Sequence, residues 1–170
     1  MNISKARFAV LIVMSIVGMA SSFMVLYTWY LLRRPLPICT APASLVPSSG
    51  ITINCAAVLS SPYSEVEGVP LDALAAAWFI VNAALVTWYS VSSRASSILK
   101  AIMGWRFIGI AIVPYLIYIE LAVVRAICLY CTIMHAAIIV DFILVTVLLG
   151  KKQRKNAAEL SKPRSGSKLM

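Results

Sequence analysis

The chain has 170 residues, of which 61% are hydrophobic and only 12% charged, with a formal net charge of +9 at pH 7. So apolar a composition excludes an ordinary soluble domain, and the length accommodates a few membrane spans and little else. The positive charge does not point to nucleic acid: Lys and Arg flank apolar runs and crowd the C-terminal segment without the interleaved aromatics of a base-stacking surface, so they read as determinants of membrane orientation.

Lys5 and Arg7 precede an apolar run over residues 8–32 that closes on Tyr27, Trp29 and Tyr30, aromatics suited to a membrane interface. The run is too long for the apolar core of a signal peptide and no small-residue cleavage pattern ends it, so it reads as a retained first span. Residues 33–70 change character. Pro35, Pro37, Pro42, Pro47 and Pro62, together with Cys39, Cys55 and a turn at Ser48-Ser49-Gly50, make a segment too irregular to cross lipid. Within it Asn54 is placed to cap a short helix from Cys55 to about Ser61, with Val58 and Leu59 on its apolar face and Pro62 ending it. Such a helix can lie across the top of a bundle.

A second span covers residues 71–91, and the short polar link that follows forces an antiparallel return. The third covers 100–121, with a kink expected at Pro114. A turn at Arg125 leads into the fourth, 126–149. Lys151, Lys152, Arg154 and Lys155 end the membrane region, and residues 151–170 are expected to form a disordered basic tail. The fold class is therefore an all-α membrane protein: residues 1–150 form one bundle of four transmembrane helices, with a long outer loop carrying a short helix. Arg106 and Asp141 fall at matching depths on antiparallel third and fourth spans, which predicts a buried ion pair with a structural role. Lys and Arg are concentrated in the N-terminus, the 92–100 link and the tail, against Arg33, Arg34 and Arg125 on the other side. Both termini are thus expected in the cytoplasm, with all four cysteines meeting on the outer or lumenal side, where disulfides persist.

The most informative local pattern is Cys128-Leu129-Tyr130-Cys131, a C-x-x-C pair at the head of the fourth apolar run, with His135 one turn on. At about 100° per residue these three positions share one helical stripe. At a helix N-terminus the peptide dipole and free backbone N–H groups favour thiolate over thiol, so the pair is expected to be reactive. Inert buried thiols are the blander reading of the cysteines, and a satisfied core histidine that of His135. A zinc or copper site on Cys128, Cys131 and His135 lacks an evident fourth ligand, so no metal is assigned. Four cysteines allow three complete pairings, and the spacing does not choose among them. A pair on the outer loop could meet an external partner and exchange with the helix pair. No haem pattern, Gly-rich nucleotide loop or iron–sulfur spacing is present, which leaves a lipid-soluble quinone as the natural electron acceptor. Four spans with a disulfide in the first outer loop also describe non-enzymatic adhesion and barrier proteins, but these have no need of a second, exchangeable pair.

Three stretches together, Cys55-Ala-Ala-Val-Leu-Ser-Ser, Gly68-Val69-Pro70-Leu71 and Cys128-Leu-Tyr-Cys131 with His135, resemble the vitamin K epoxide reductase family, including its prokaryotic members that oxidise secreted thioredoxin-like proteins. The resemblance runs over roughly residues 8–150. It implies a four-helix bundle around a quinone of the ubiquinone, menaquinone or vitamin K type, with the cysteines at its outer end. By motif it implies Cys39 and Cys55 as a shuttle pair, Cys128 as the thiol exchanging with Cys55, and Cys131 as the thiol nearest the quinone. Ser61 matches the serine six residues after the second loop cysteine, and Ser61, His135, Cys131, Val58 and Leu59 are the expected quinone contacts. The tail has no cysteine and is far too short for the thioredoxin-like domain fused to some bacterial relatives, so the partner is expected to be a separate chain on the outer face. His135 stands where the animal enzymes carry tyrosine, which favours quinone reduction coupled to disulfide formation over reduction of vitamin K epoxide.

Overall fold

The computed structural model describes residues 5–39, 43–46, 50–91 and 95–160; the link around Arg94 and the tail beyond Leu160 lie outside them. Four long helices carry the fold. Helix α1 (Lys5–Val25) runs on into a π-helical turn at Leu26–Leu31, α3 spans Leu71–Val91, α4 (Ala95–Tyr118) runs on into a second π-helical turn at Ile119–Val124, and α5 spans Leu129–Leu160. Each contains a stretch long and apolar enough to cross a membrane. Helix α1 packs on α3 and α5, and α4 closes the bundle against the same two helices.

The expected disorder from residue 151 is corrected as far as Leu160, because α5 continues to that residue. Lys, Gln, Arg, Ala, Glu and Leu dominate the stretch 151–160 and are good helix formers, so a helix already nucleated within the membrane propagates through them. Pro114 sits inside α4 without ending it, and the helix passes into π geometry one turn later.

The bundle is apolar outside and polar within. Val13, Ile16, Phe23, Ile80, Ile108 and Ile143 are exposed, while Ser15, Asn82, Arg106 and Asp141 are fully buried. With no water in the hydrocarbon, polar side chains must find partners among the helices. They do so at one node with a residue from every span. Arg106 Nη2 lies 3.5 Å from Asp141 Oδ2. Arg106 Nε donates to Asn82 Oδ1 at 3.2 Å, and Asn82 Nδ2 donates both to Ser15 Oγ, at 2.8 Å, and to the Asp141 carboxylate. The expected Arg106–Asp141 pair is present, and Asn82 and Ser15 extend it to α3 and α1.

The described parts of the outer loop hold strands as well as a helix, so the expectation of a single short helix there is incomplete. Strands β1 (Ala43–Val46) and β2 (Ile51–Ile53) pair antiparallel, and β2 pairs in parallel with β5 (Ala126–Ile127). The span expected from residue 126 therefore begins as a strand, and its helix starts at Leu129. The β-branched run Ile51-Thr52-Ile53 suits a strand, and its free backbone edge is satisfied by the segment entering α5. Helix α2 (Cys55–Leu59) forms where expected, with Asn54 Oδ1 accepting from the Ala57 N–H at 3.1 Å. Strands β3 (Glu65–Val66) and β4 (Val69–Pro70) form a tight hairpin whose two turn residues, Glu67 and Gly68, both have positive φ.

Two outcomes test this packing. Replacing Asp141 alone by Leu leaves the buried Arg106 charge without a counterion and should cost about 3–5 kcal/mol of stability, whereas Arg106→Met with Asp141→Leu should recover most of the loss. Thermal unfolding in detergent reads both, and a double variant no better than the worse single one shows that the two are not partners. At Gly18 an added Cβ would run into the Phe79 ring. Gly18→Ala should therefore lower stability by about 1–3 kcal/mol and be partly relieved by Phe79→Leu.

Candidate active site

The parallel pairing of β2 with β5 decides where the cysteines meet. The Thr52 N–H donates to Arg125 O at 3.2 Å and the Asn54 N–H to Ile127 O at 3.1 Å, so both strands leave the sheet side by side. The residue after Asn54 is Cys55 and the residue after Ile127 is Cys128. Arg125 makes the turn that permits this, with a left-handed φ of 55° where the π-helical turn stops.

Cys39 and Cys55 form a disulfide with their Cα atoms 5.6 Å apart, and Cys128 and Cys131 are free thiols. Cys39, Cys55 and Cys128 share one buried cluster with Val25, Leu36 and Leu59, and Cys131 packs against it together with Trp29 and Tyr30. Cys39 is 9% exposed, Cys55 1% and Cys128 not at all. A turn in which the Cys39 N–H donates to Leu36 O brings Cys39 to the surface edge of this cluster, beside the exposed Ile38.

Cys128 immediately precedes α5 and its carbonyl accepts from the Thr132 N–H at 2.9 Å, while Cys131 lies in the first turn. The stripe expected from the C-x-x-C spacing divides in function of place. Cys128 faces the loop cysteines, and Cys131 and His135 face a cavity of about 90 Å³ beneath α2. The side chains of Cys128 and Cys131 are neighbours. Neighbouring sulfurs in this order, one pair oxidised and one reduced, can pass a disulfide along by exchange without large movement.

Every expected quinone contact lines this cavity: Val58 and Leu59 from α2, Ser61 from the turn after it, and Cys131 and His135 from α5. Ser61 Oγ donates to Val58 O at 2.7 Å, which ties the turn to α2. Leu71, Leu116, Met134 and Ile138 supply apolar wall. A mostly apolar pocket with a few separated polar groups suits a flat ring bearing oxygen acceptors, and the residues present fit a quinone. Among the described residues no three His, Cys, Asp or Glu side chains converge as a metal-ligand set.

Two residues here were not singled out in the sequence, and a third was read there only as an interfacial aromatic. Asp72, at the start of α3, and Glu120, in the π-helical turn of α4, are buried acidic residues that line the cavity. Glu120 faces the Cys131 thiol and the backbone N–H of Cys128. The signal was available, since an ionisable residue in an apolar span is by default a candidate for function. The third is Tyr30, whose hydroxyl is buried without a hydrogen-bond partner.

No curated protein matches the chain at a significant level of similarity. The model of the "Vitamin K epoxide reductase family" matches residues 9–146, a stretch that holds all four cysteines, the β2–β5 pairing and the whole cavity wall. By fold, by cysteine arrangement and by that match, this chain belongs to the vitamin K epoxide reductase family, a family of membrane oxidoreductases.

Proposed function

We propose that the protein is a membrane thiol oxidase that forms disulfide bonds, drawing electrons from a separate thioredoxin-like protein on the outer face and delivering them to a membrane quinone. One observation carries the reading: Cys39–Cys55, Cys128 and Cys131 follow one another from the surface edge of the cluster to the cavity wall. The excess of Lys and Arg around both termini supports a cytoplasmic position for them and an outer or lumenal one for the cysteines.

In this reading a partner thiolate attacks Cys39, the less buried sulfur, and releases Cys55. Cys55 then exchanges with the disulfide form of the helix pair at Cys128, leaving Cys131 reduced at the cavity; the partner's second thiol displaces Cys39 as the partner disulfide forms, and Cys39 re-forms its bond to Cys55, which frees Cys128 as a thiol. Val58, Leu59, Ser61 and His135 would hold a quinone, which when bound would supply a two-electron, two-proton sink. His135 offers a hydrogen bond to a ring oxygen as negative charge develops there. Val58 and Leu59 cover the upper side and exclude water from the reacting sulfur. Oxidation of Cys131 and Cys128 to a disulfide returns the helix pair to its starting state.

Purified protein mixed with a reduced thioredoxin-like protein and a short-chain ubiquinone or menaquinone should yield one hydroquinone per disulfide formed. Cys131→Ser should lower turnover at least about a thousandfold. Cys39→Ser should block the protein partner yet spare oxidation of dithiothreitol, which can reach the inner sulfurs directly. If Cys128 and Cys131 keep their state under all these reductants and quinones, the chain is a structural four-span protein and the proposal fails.

The cover formed by α2 should loosen when its disulfide opens. Limited proteolysis within the 33–70 loop is expected to be faster in the fully reduced protein than in the Cys39–Cys55 form, and equal rates would rule out a redox-gated lid.

A further inference from the structure

Resting on the thiol-to-quinone reading, we propose that Glu120 is a catalytic residue that carries protons between the helix thiols and the quinone. Oxidising two thiols requires two S–H bonds to be lost, and reducing a quinone to hydroquinone requires two O–H bonds to form. Neither can proceed in an apolar pocket without a group that takes up and releases protons at the sulfur.

The geometry selects Glu120 for this task. Its carboxylate lies beside the Cys131 thiol and the Cys128 backbone N–H, and its side chain lines the same cavity as His135. It is 7% exposed, so bulk water does not compete for it. Leu116, one turn earlier on α4, lines the same wall, which turns the Glu120 side chain toward the cavity. A second, more open groove between the end of α4 and α5 is bordered by Glu120 and His135 from its other side. Glu120 therefore stands between the space where the chemistry occurs and a space open to the outside of the bundle. The titratable groups that share the cavity with it are Tyr63 from the outer loop, Asp72 from α3, and Cys131 and His135 from α5. Of these, Asp72 is engaged with its own backbone at the N-terminus of α3, and His135 is one helical turn away from Cys131. The Glu120 carboxyl is the one placed to accept from the Cys131 thiol.

The balance is as follows. Glu120 takes the proton from Cys131 Sγ and gives it to the nearer ring oxygen, which restores the carboxylate. The Cys128 proton then shifts to the neighbouring Cys131 sulfur, Glu120 takes it in turn, and it is delivered to the second ring oxygen. The S–S bond forms between Cys128 and Cys131, two electrons and two protons leave the thiols, and the quinone becomes hydroquinone with Glu120 unchanged.

Two measurements on the full-length protein in detergent test the assignment. With dithiothreitol and a soluble quinone, Glu120→Gln should turn over about a hundredfold more slowly than the wild type, and Glu120→Asp should recover part of the loss. An intact Cys39–Cys55 bond, scored by alkylation and mass spectrometry, verifies that each variant is folded. The second measurement needs no quinone: the rate at which iodoacetamide labels Cys131. If Glu120 takes the thiol proton, Glu120→Gln slows labelling severalfold. If its charge only repels a thiolate, the same substitution leaves labelling unchanged or speeds it, and the proposal is overturned. A Gln variant with turnover within twofold of the wild type overturns it as well, while leaving the oxidase reading in place. A wild type that reduces no quinone removes both.

Discussion

Two backbone hydrogen bonds between the outer loop and the segment entering α5 are the constraint on which the site depends. Thr52 to Arg125 and Asn54 to Ile127 join parts of the chain about 70 residues apart in sequence. A loop held only by its ends would sample many positions, and the entropy of fixing it would have to be offset elsewhere. Extending the small sheet from β2 to β5 removes that freedom at the point where Cys55 and Cys128 leave their strands. Helix α2 follows directly, capped by Asn54, and its far end roofs the cavity. Strand pairing, helix cap and roof are consecutive, so the placement of one sulfur fixes the cover over another.

The bundle beneath is organised by the opposite of a soluble core. Apolar side chains outside are already in a suitable solvent, so burying them gains little, and the specific contacts are polar or close-packed. The Ser15–Asn82–Arg106–Asp141 node supplies the first kind. Gly18 against Phe79 and Gly109 against Trp78 supply the second, because a side chain at either glycine would displace the ring. Each contact joins two helices, and together they set the register in which α4 and α5 meet at the cavity.

Much of this was legible in the sequence, for reasons that differ by element. The four spans follow from apolar length, which the bilayer imposes directly. The Arg106–Asp141 pair follows from depth alone, since two opposite charges in lipid have few alternatives to each other. The Asn54 cap and the start of α2 follow from local chemistry. What escaped was the non-local part. Strands of two or three residues, such as Ala126–Ile127, carry no periodicity of their own and exist only because a partner edge is present. Glu120 escaped because attention to the cysteine stripe of α5 left α4 without a candidate, although its lone carboxylate in an apolar run was the same kind of signal that exposed Asp141.

The complete burial of Cys128 has a consequence beyond geometry. A chain of thiols joining an aqueous compartment to a lipid-borne electron pool is a potential short circuit, through which any small reductant could discharge. Cys128 is the most deeply buried of the four, packed with the loop disulfide on one side and next to Cys131, which lines the cavity, on the other. In the proposed relay it would be the insulated segment of the conductor, taking electrons from Cys55 and passing them to Cys131, so that protein partners would be selected where Cys39 meets the surface.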